Sequence, residues 1–196
     1  LAERSPHVAA VLNITPNHLD RFSWEEYRRL KSNLIRFQRE GDIAVLNYDD
    51  PECRALKSEV KDRLLWFSLG EKIPGDGVFV RDDWAILRLT SLHERLFPLS
   101  SLLLRGRHNQ ANAMAAAAIA TACGISPDAI ACAAESFRGV AHRLELVGEV
   151  NGVRYYNDSI ATTPERTLAG LRSFDEPAVL LLGGRDKHLP LEELAS

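Results

Sequence analysis

Residues 8–46, VAAVLNITPNHLDRFSWEEYRRLKSNLIRFQREGDIAVL, decide the fold class. Val8 to Ile14 is a short apolar run that breaks at Thr15-Pro16-Asn17, the pattern of a buried strand running into a polar loop. Ser23 with Glu26 three residues later is a capping box, in which hydroxyl and carboxylate each satisfy a backbone N–H left open at a helix start. A helix is expected from Trp24 to about Glu40, stopped by Gly41, and a second strand from Ile43 to Leu46. Strand, helix, strand implies a parallel pair, because parallel strands need a long crossover between them.

The alternation continues with a helix from about Glu52 to Val60 and a strand from Leu64 to Ser68. From Gly70 to Leu104 the pattern shortens to strand-like runs at Val78 to Val80, Trp84 to Leu89 and Arg95 to Pro98, expected as an antiparallel addition at the sheet edge. A helix from about Asn109 to Cys123 carries eight alanines, and another spans Pro127 to Phe137. The fold class is therefore α/β, a mostly parallel sheet with flanking helices. Arg138-Gly139 marks the expected boundary between a domain over 1–139 and a second over 140–196. In the second, Asn151-Gly152 joins Leu144 to Val150 and Val153 to Tyr156 as a hairpin, followed by a helix from Pro164 to Ser173. A strand from Ala178 to Leu182 then meets Gly183-Gly184, as at the opening of a doubly wound domain, although no GxGxxG occurs.

With 196 residues, 45% apolar and 26% charged, the chain has enough apolar surface for a packed core. Its 24 basic and 27 acidic residues leave a net charge of −3, which implies no general attraction to nucleic acid or anionic lipid. No apolar run reaches the roughly 20 residues of a membrane helix. Cys53, Cys123 and Cys132 form no CxxC pair and are expected as three buried thiols in a reducing compartment. The Leu1 start and the helix-start pattern at Pro190 to Leu194 read as an interior piece of a longer protein.

Several polar residues stand where chemistry is possible. On the Trp24 to Glu40 helix, Trp24, Tyr27, Leu30, Leu34, Ile35, Phe37 and Gln38 share an arc of roughly 160°, and Lys31 is the one charged residue within it. An ammonium placed there must snorkel, pair, or lose its charge. His18 and Asp20 occupy the loop after the first strand, where ligands gather in α/β sheets. Asn109 and Asn112 share a helix face beside Arg107 and His108; base or phosphate recognition and simple N-capping both account for Asn109. Asn157-Asp158-Ser159, and Thr162 with Thr163 before Pro164, form a polar cluster at a helix start. Lys187 follows the Gly-Gly turn, placed either for an anionic ligand or for solvent.

Taken together, Asn13-Ile14-Thr15-Pro16-Asn17-His18-Leu19-Asp20-Arg21, Lys31, His108-Asn109-Gln110-Ala111-Asn112, His142-Arg143-Leu144-Glu145 and Asn157-Asp158-Ser159 resemble the ordered motifs of the Mur ligases. Asn157-Asp158-Ser159 with Ala161-Thr162-Thr163, and Gly183-Gly184-Arg185-Asp186-Lys187, are similar to the signatures of the D-glutamate-adding members. The resemblance implies a cytoplasmic, ATP- and magnesium-dependent amide ligase of peptidoglycan precursor synthesis. Its central domain would bind ATP, and a Rossmann-like C-terminal domain would bring the amino acid. The substrates implied are UDP-N-acetylmuramoyl-L-alanine, D-glutamate and ATP, with no nucleic acid or membrane partner. The implied roles are magnesium binding for His18 and for Lys31 as a carbamate, adenine for Asn109 and Asn112, ribose and phosphate for Arg143 and Asp158, and D-glutamate for Thr162 and Lys187. The family activates a carboxylate as an acyl phosphate, which the incoming amine attacks. Ile160 stands where these members usually carry a lysine, and Asn17 where an acidic residue is common. Another amide ligase of the superfamily and a non-catalytic binding domain are the alternatives.

Residues 1–196 contain no GxxxxGK[ST] phosphate loop. The isolated 196-residue chain is therefore expected to release no phosphate from ATP in a coupled assay; multiple turnovers by this chain alone would contradict that expectation.

Overall fold

The computed structural model describes residues 3–16, 21–184 and 194. The chain forms two compact units, Leu1–Ser101 with Ala111–Glu135, and Leu102–Gln110 with Ser136–Ser196.

The first unit is built on a six-stranded sheet: β1 (Val8–Val11), β2 (Ile43–Asn47), β3 (Arg63–Phe67), β4 (Gly77–Arg81), β5 (Trp84–Leu89) and β6 (Leu92–Pro98), lying side by side in chain order. Strands β1 to β4 are parallel, and β5 and β6 add antiparallel. The expected α/β class holds, and so does an antiparallel edge over β5 and β6, but Val78 to Val80, expected within that addition, lie on β4, which pairs parallel with β3 through the close approach of Gly77 to Trp66. Ile43 to Leu46 of β2 are all buried, as required of a parallel strand covered on both faces. Helices α1 (Trp24–Arg36) and α2 (Pro51–Ala55, continued by a 3-10 turn over Leu56–Glu59) form the crossovers. Ala9, Val11, Ile35, Leu46, Cys53, Trp66 and Phe79 form one buried cluster, with Trp24, Tyr27 and Leu34 packed against it.

The Ser23–Glu26 capping box forms with both of its hydrogen bonds. The end of α1 departs from expectation: the helix stops at Arg36, short of Glu40. Ser5 is the cause. Its Oγ accepts from Phe37 N at 3.1 Å and donates to Asn33 O at 2.8 Å, so a hydroxyl is inserted into the i to i−4 ladder. Gln38, only 5% exposed, then donates through Nε2 to Pro6 O and Ile43 O. Ser5 is a long-range partner, invisible to local periodicity. The core face of α1 is also narrower than the expected arc, because Leu30 is 50% exposed.

The thiols differ from expectation as well. Cys53 is buried, but Cys123 and Cys132 are exposed. Cys123 directly follows α3 (Arg107–Ala122), and Cys132 lies within α4 (Pro127–Ser136) on a position turned away from the core.

The second unit holds the hairpin β7 (Glu145–Val150) and β8 (Val153–Asn157), then α5 (Pro164–Leu171). Asn151 and Gly152 take φ of 52° and 78°, the conformation that a two-residue hairpin turn demands. Ala178 to Leu182, expected as a strand, forms none. Val179 and Leu181 are 91% and 90% exposed. A strand exists only through its neighbour's hydrogen bonds, and among the described residues the sheet of this unit is the β7–β8 pair alone. No described helix is long and apolar enough to cross a membrane.

Gly77 makes the parallel β3–β4 junction possible. Its φ is 149°, and a Cβ there would lie 2.0 Å from the Trp66 carbonyl oxygen. Gly77→Ala should cost about 3 kcal/mol or more in urea unfolding, whereas Gly41→Ala, with φ of 89° and nothing within 4 Å, should cost only about 1 kcal/mol. Equal losses would contradict the close approach.

Candidate functional site

At the carboxyl end of the parallel strands, side chains stitch one loop to the next. Asn47, closing β2, donates through Nδ2 to Leu12 O in the loop after β1 at 2.8 Å, and its Oδ1 accepts from Asp49 N. Asp49 accepts from Ser68 Oγ at 2.5 Å and from Leu69 N at 2.7 Å, tying in the end of β3. These contacts fix the edge at which α/β sheets bind ligands.

Lys31 lies on α1, half-buried, with its Nζ 5.4 Å from the centroid of the Tyr27 ring. The head of the side chain lies over an aromatic face. The arc therefore does not enclose a fully buried charge, because a side chain of this length reaches its rim. Among the described residues no carboxylate pairs with Lys31. His18, its expected partner, and Asp20 lie outside the described residues, as does Lys187.

In the second unit, two separate motifs close on each other. Leu144 N donates to Asp158 Oδ1 at 3.0 Å. Asn157 Nδ2 meets His142 Nδ1 at 2.9 Å. Ile160 N donates to His142 O at 3.2 Å, and His142 N donates to Glu145 Oε2 at 2.7 Å. His142 and Leu144 hold φ of 66° and 43°, so the turn that carries the exposed Arg143 is strained and pinned by these bonds. The second carboxylate oxygen of Asp158 lies against Gly170 of α5, where a Cβ would come within 3.1 Å of it.

Asn109 is 5% exposed and stands third in α3, so it is not the cap. Its Nδ2 donates back to Arg105 O at 2.7 Å. Asn112, one turn further on, is exposed. Thr162 is exposed too, and Thr163 takes the N-cap position of α5 without a side-chain bond, Pro164 supplying the first helical residue. The capping explanation for the threonines is thus positional only.

Two features escaped the sequence. His108, noted there only as an added donor, feels both Arg143 and Asp158: burial pushes its imidazole below the ordinary value, the Arg143 guanidinium adds to that, and the Asp158 carboxylate opposes it. Glu176 takes a fork from Arg105, Nη1 to Oε2 at 3.0 Å and Nη2 to Oε1 at 3.3 Å, and also pairs with Arg154. The Arg105 bond, assisted by the others, brings the Glu176 carboxyl down to about 2. Neither Arg105 nor Glu176 sits in a recognisable motif, so no local signal pointed to them.

A sheet of this topology, with loop motifs gathered in this way, belongs to a known class. The chain is a member of the Mur ligase family: the Mur ligase middle domain matches residues 1–120. It is 41% identical over 186 residues, 94% of its own length and 41% of the relative's, to a protein of Koribacter versatilis named UDP-N-acetylmuramoylalanine--D-glutamate ligase. A protein of the same name from Acetivibrio thermocellus is 41% identical over 192 residues, with 97% of this chain and 41% of that protein covered. The chain thus spans about two fifths of these relatives. A crystal structure of MurF from Acinetobacter baumannii superposes with a TM-score of 0.65 at 26% identity, covering 84% of this chain and 36% of that one. A pseudomurein peptide ligase type C from Methanothermus fervidus shares the fold, with a TM-score of 0.62 at 20% identity over 87% of this chain and 41% of that one.

The His108 environment is testable by proton NMR. The imidazole should titrate below its ordinary 6.5, Arg143→Ala should move it up, and Asp158→Asn should move it further down. Because the folded histidine binds fewer protons than the unfolded one in that window, stability should fall as pH drops through about 6.5, and His108→Gln should flatten this slope. A midpoint at or above 6.5 would contradict the burial.

Proposed function

We propose that this chain is part of an ATP- and magnesium-dependent amide ligase that adds D-glutamate to UDP-N-acetylmuramoyl-L-alanine in the cytoplasm during peptidoglycan precursor synthesis. The observation that carries the proposal is the hydrogen-bonded closure of His142-Arg143-Leu144-Glu145 on Asn157-Asp158-Ser159, with His108 alongside both and Asn109 in the same unit. Kinship at 41% identity with proteins named as D-glutamate ligases supports the choice of amino acid.

In this reading, residues 1–139 belong to the ATP-binding domain and 140–196 to the amino-acid-binding one. Asn109 and Asn112 serve the adenine, and Arg143 and Asp158 the ribose and phosphates. Arg143 is exposed on a pinned turn, so its planar fork is available to phosphate oxygens. Thr162 is exposed and can donate a hydroxyl to a D-glutamate carboxylate, with Lys187 supplying charge.

Magnesium needs hard oxygen donors, and a lysine ammonium repels it. Lys31 fits a magnesium site only as a carbamate, and its half-buried amine, unpaired with any carboxylate among the described residues, is accessible to carbon dioxide. His18 and carbamylated Lys31 would hold the ion, which when bound offsets charge on the transferring phosphoryl group. The chain's own residues orient nucleotide and amino acid so that the amine meets the activated carboxyl.

The test is phosphate release by the intact protein with UDP-N-acetylmuramoyl-L-alanine and a panel of amino acids. D-Glutamate alone should support turnover. Thr162→Ala and Lys187→Ala should each raise KM for D-glutamate roughly 10- to 150-fold, from a loss of about 1.5 to 3 kcal/mol, with KM for ATP little changed. Lys31→Ala should abolish turnover and regain part of it with added short-chain carboxylates. Turnover with another amino acid in place of D-glutamate, or a fully active Lys31→Ala protein, would contradict the proposal.

A further inference from the structure

The Arg105 side chain is held more firmly than a surface arginine of this length normally is. Its guanidinium forks onto Glu176 and lies 5.1 Å from the Phe174 ring centroid and 5.8 Å from that of Tyr156, the two rings meeting edge to face at 4.9 Å. Arg154 closes the other side of Glu176. Immediately after it, Gly106 holds φ of 91°, and a Cβ there would press within 2.8 Å of Ser173 and 2.9 Å of His108. The backbone at 105–106 is therefore fixed both by the side chain before it and by the close approach after it.

That backbone holds Asn109. The Arg105 carbonyl can only accept, so the amide must turn its NH2 group toward it, at 2.7 Å. Among the described residues no donor reaches Asn109 Oδ1. An amide locked in this way is an acceptor toward a ligand, and the N–H donor that a 9-substituted adenine offers is its 6-amino group.

We propose that Arg105 is a positioning residue for base recognition: through Glu176, Tyr156 and Phe174 it fixes the carbonyl that locks the Asn109 amide, and the locked amide selects a purine with an amino group at position 6. The proposal rests on the reading of Asn109 as an adenine ligand. Lysine in place of Arg105 keeps the charge but loses the bidentate fork onto Glu176 and the guanidinium that lies over the two rings. The loosened carbonyl then lets the amide turn over and present its NH2 group to a 6-oxo purine instead.

The experiment is calorimetric binding of ATP and of inosine triphosphate, which differs at position 6, to the intact protein, with thermal melting as the fold control. Wild type should prefer ATP by about tenfold or more. Arg105→Lys should weaken ATP about fivefold and shrink the ATP-to-inosine preference by a similar factor. Glu176→Gln, which keeps shape and removes one charge, should act in the same direction more weakly, and it carries the test if Arg105→Lys melts below the assay temperature. Asn109→Ala separates the two layers. If it weakens ATP while folded Arg105→Lys and Glu176→Gln proteins keep the wild-type preference, the positioning role is overturned and the adenine reading stands. If Asn109→Ala leaves ATP binding unchanged, the adenine reading falls and the positioning role falls with it.

Discussion

Leu144 keeps its left-handed backbone, φ 43°, because its N–H is caught by the Asp158 carboxylate. A branched residue in that region costs on the order of 1 kcal/mol or more, and a charge-assisted hydrogen bond is of the size that offsets it. Much of the second unit follows from this bond. It draws the start of β7 to the end of β8, brings His142 against Asn157, and leaves Arg143 projecting from the turn between. It also sets Asp158 against Gly170, a position where any larger residue would push the carboxylate away. His108 then meets an arginine and an aspartate at once; burial holds its imidazole below the ordinary value, Arg143 adds to that, and Asp158 opposes it.

The first unit depends on a different constraint. Parallel strands leave their loops at one end, and here Asn47, Asp49 and Ser68 bind those loops to one another. The helix that carries Lys31 starts at a well-formed capping box and ends where Ser5 interrupts its ladder. Both ends are thus fixed by side-chain hydrogen bonds, which holds Lys31 at a set height on a helix packed through Ile35 and Trp24. The amine is neither sunk in the core nor free in solvent.

What the sequence disclosed was whatever depends on near neighbours. The Ser23–Glu26 box, the Asn151-Gly152 turn and the antiparallel strands Trp84 to Leu89 and Arg95 to Pro98 were legible, because each is a pattern within a few residues, whereas the parallel pairing of β4 was not. What it withheld was long-range. Ser5 shortens α1 from 32 residues away; Leu30 is 50% exposed although it falls within the expected arc; Ala178 to Leu182 is apolar enough for a strand yet, among the described residues, pairs with none. The Arg105–Glu176 fork spans 71 residues and joins two positions with no motif around either. At the site, the motif residues Asn109, Arg143 and Asp158 were readable as a set, whereas the bonds that orient them were not.

The central claim is that the His142–Glu145 turn, the Asn157–Ser159 turn and the start of α3 make up a nucleotide site. Photolabelling the intact protein with 8-azido-ATP, followed by peptide mapping, tests it directly. The account predicts label in peptides spanning residues 105–112, 142–145 or 157–159, suppressed by excess ATP. Label that is suppressed by ATP but confined to peptides outside these stretches would contradict it.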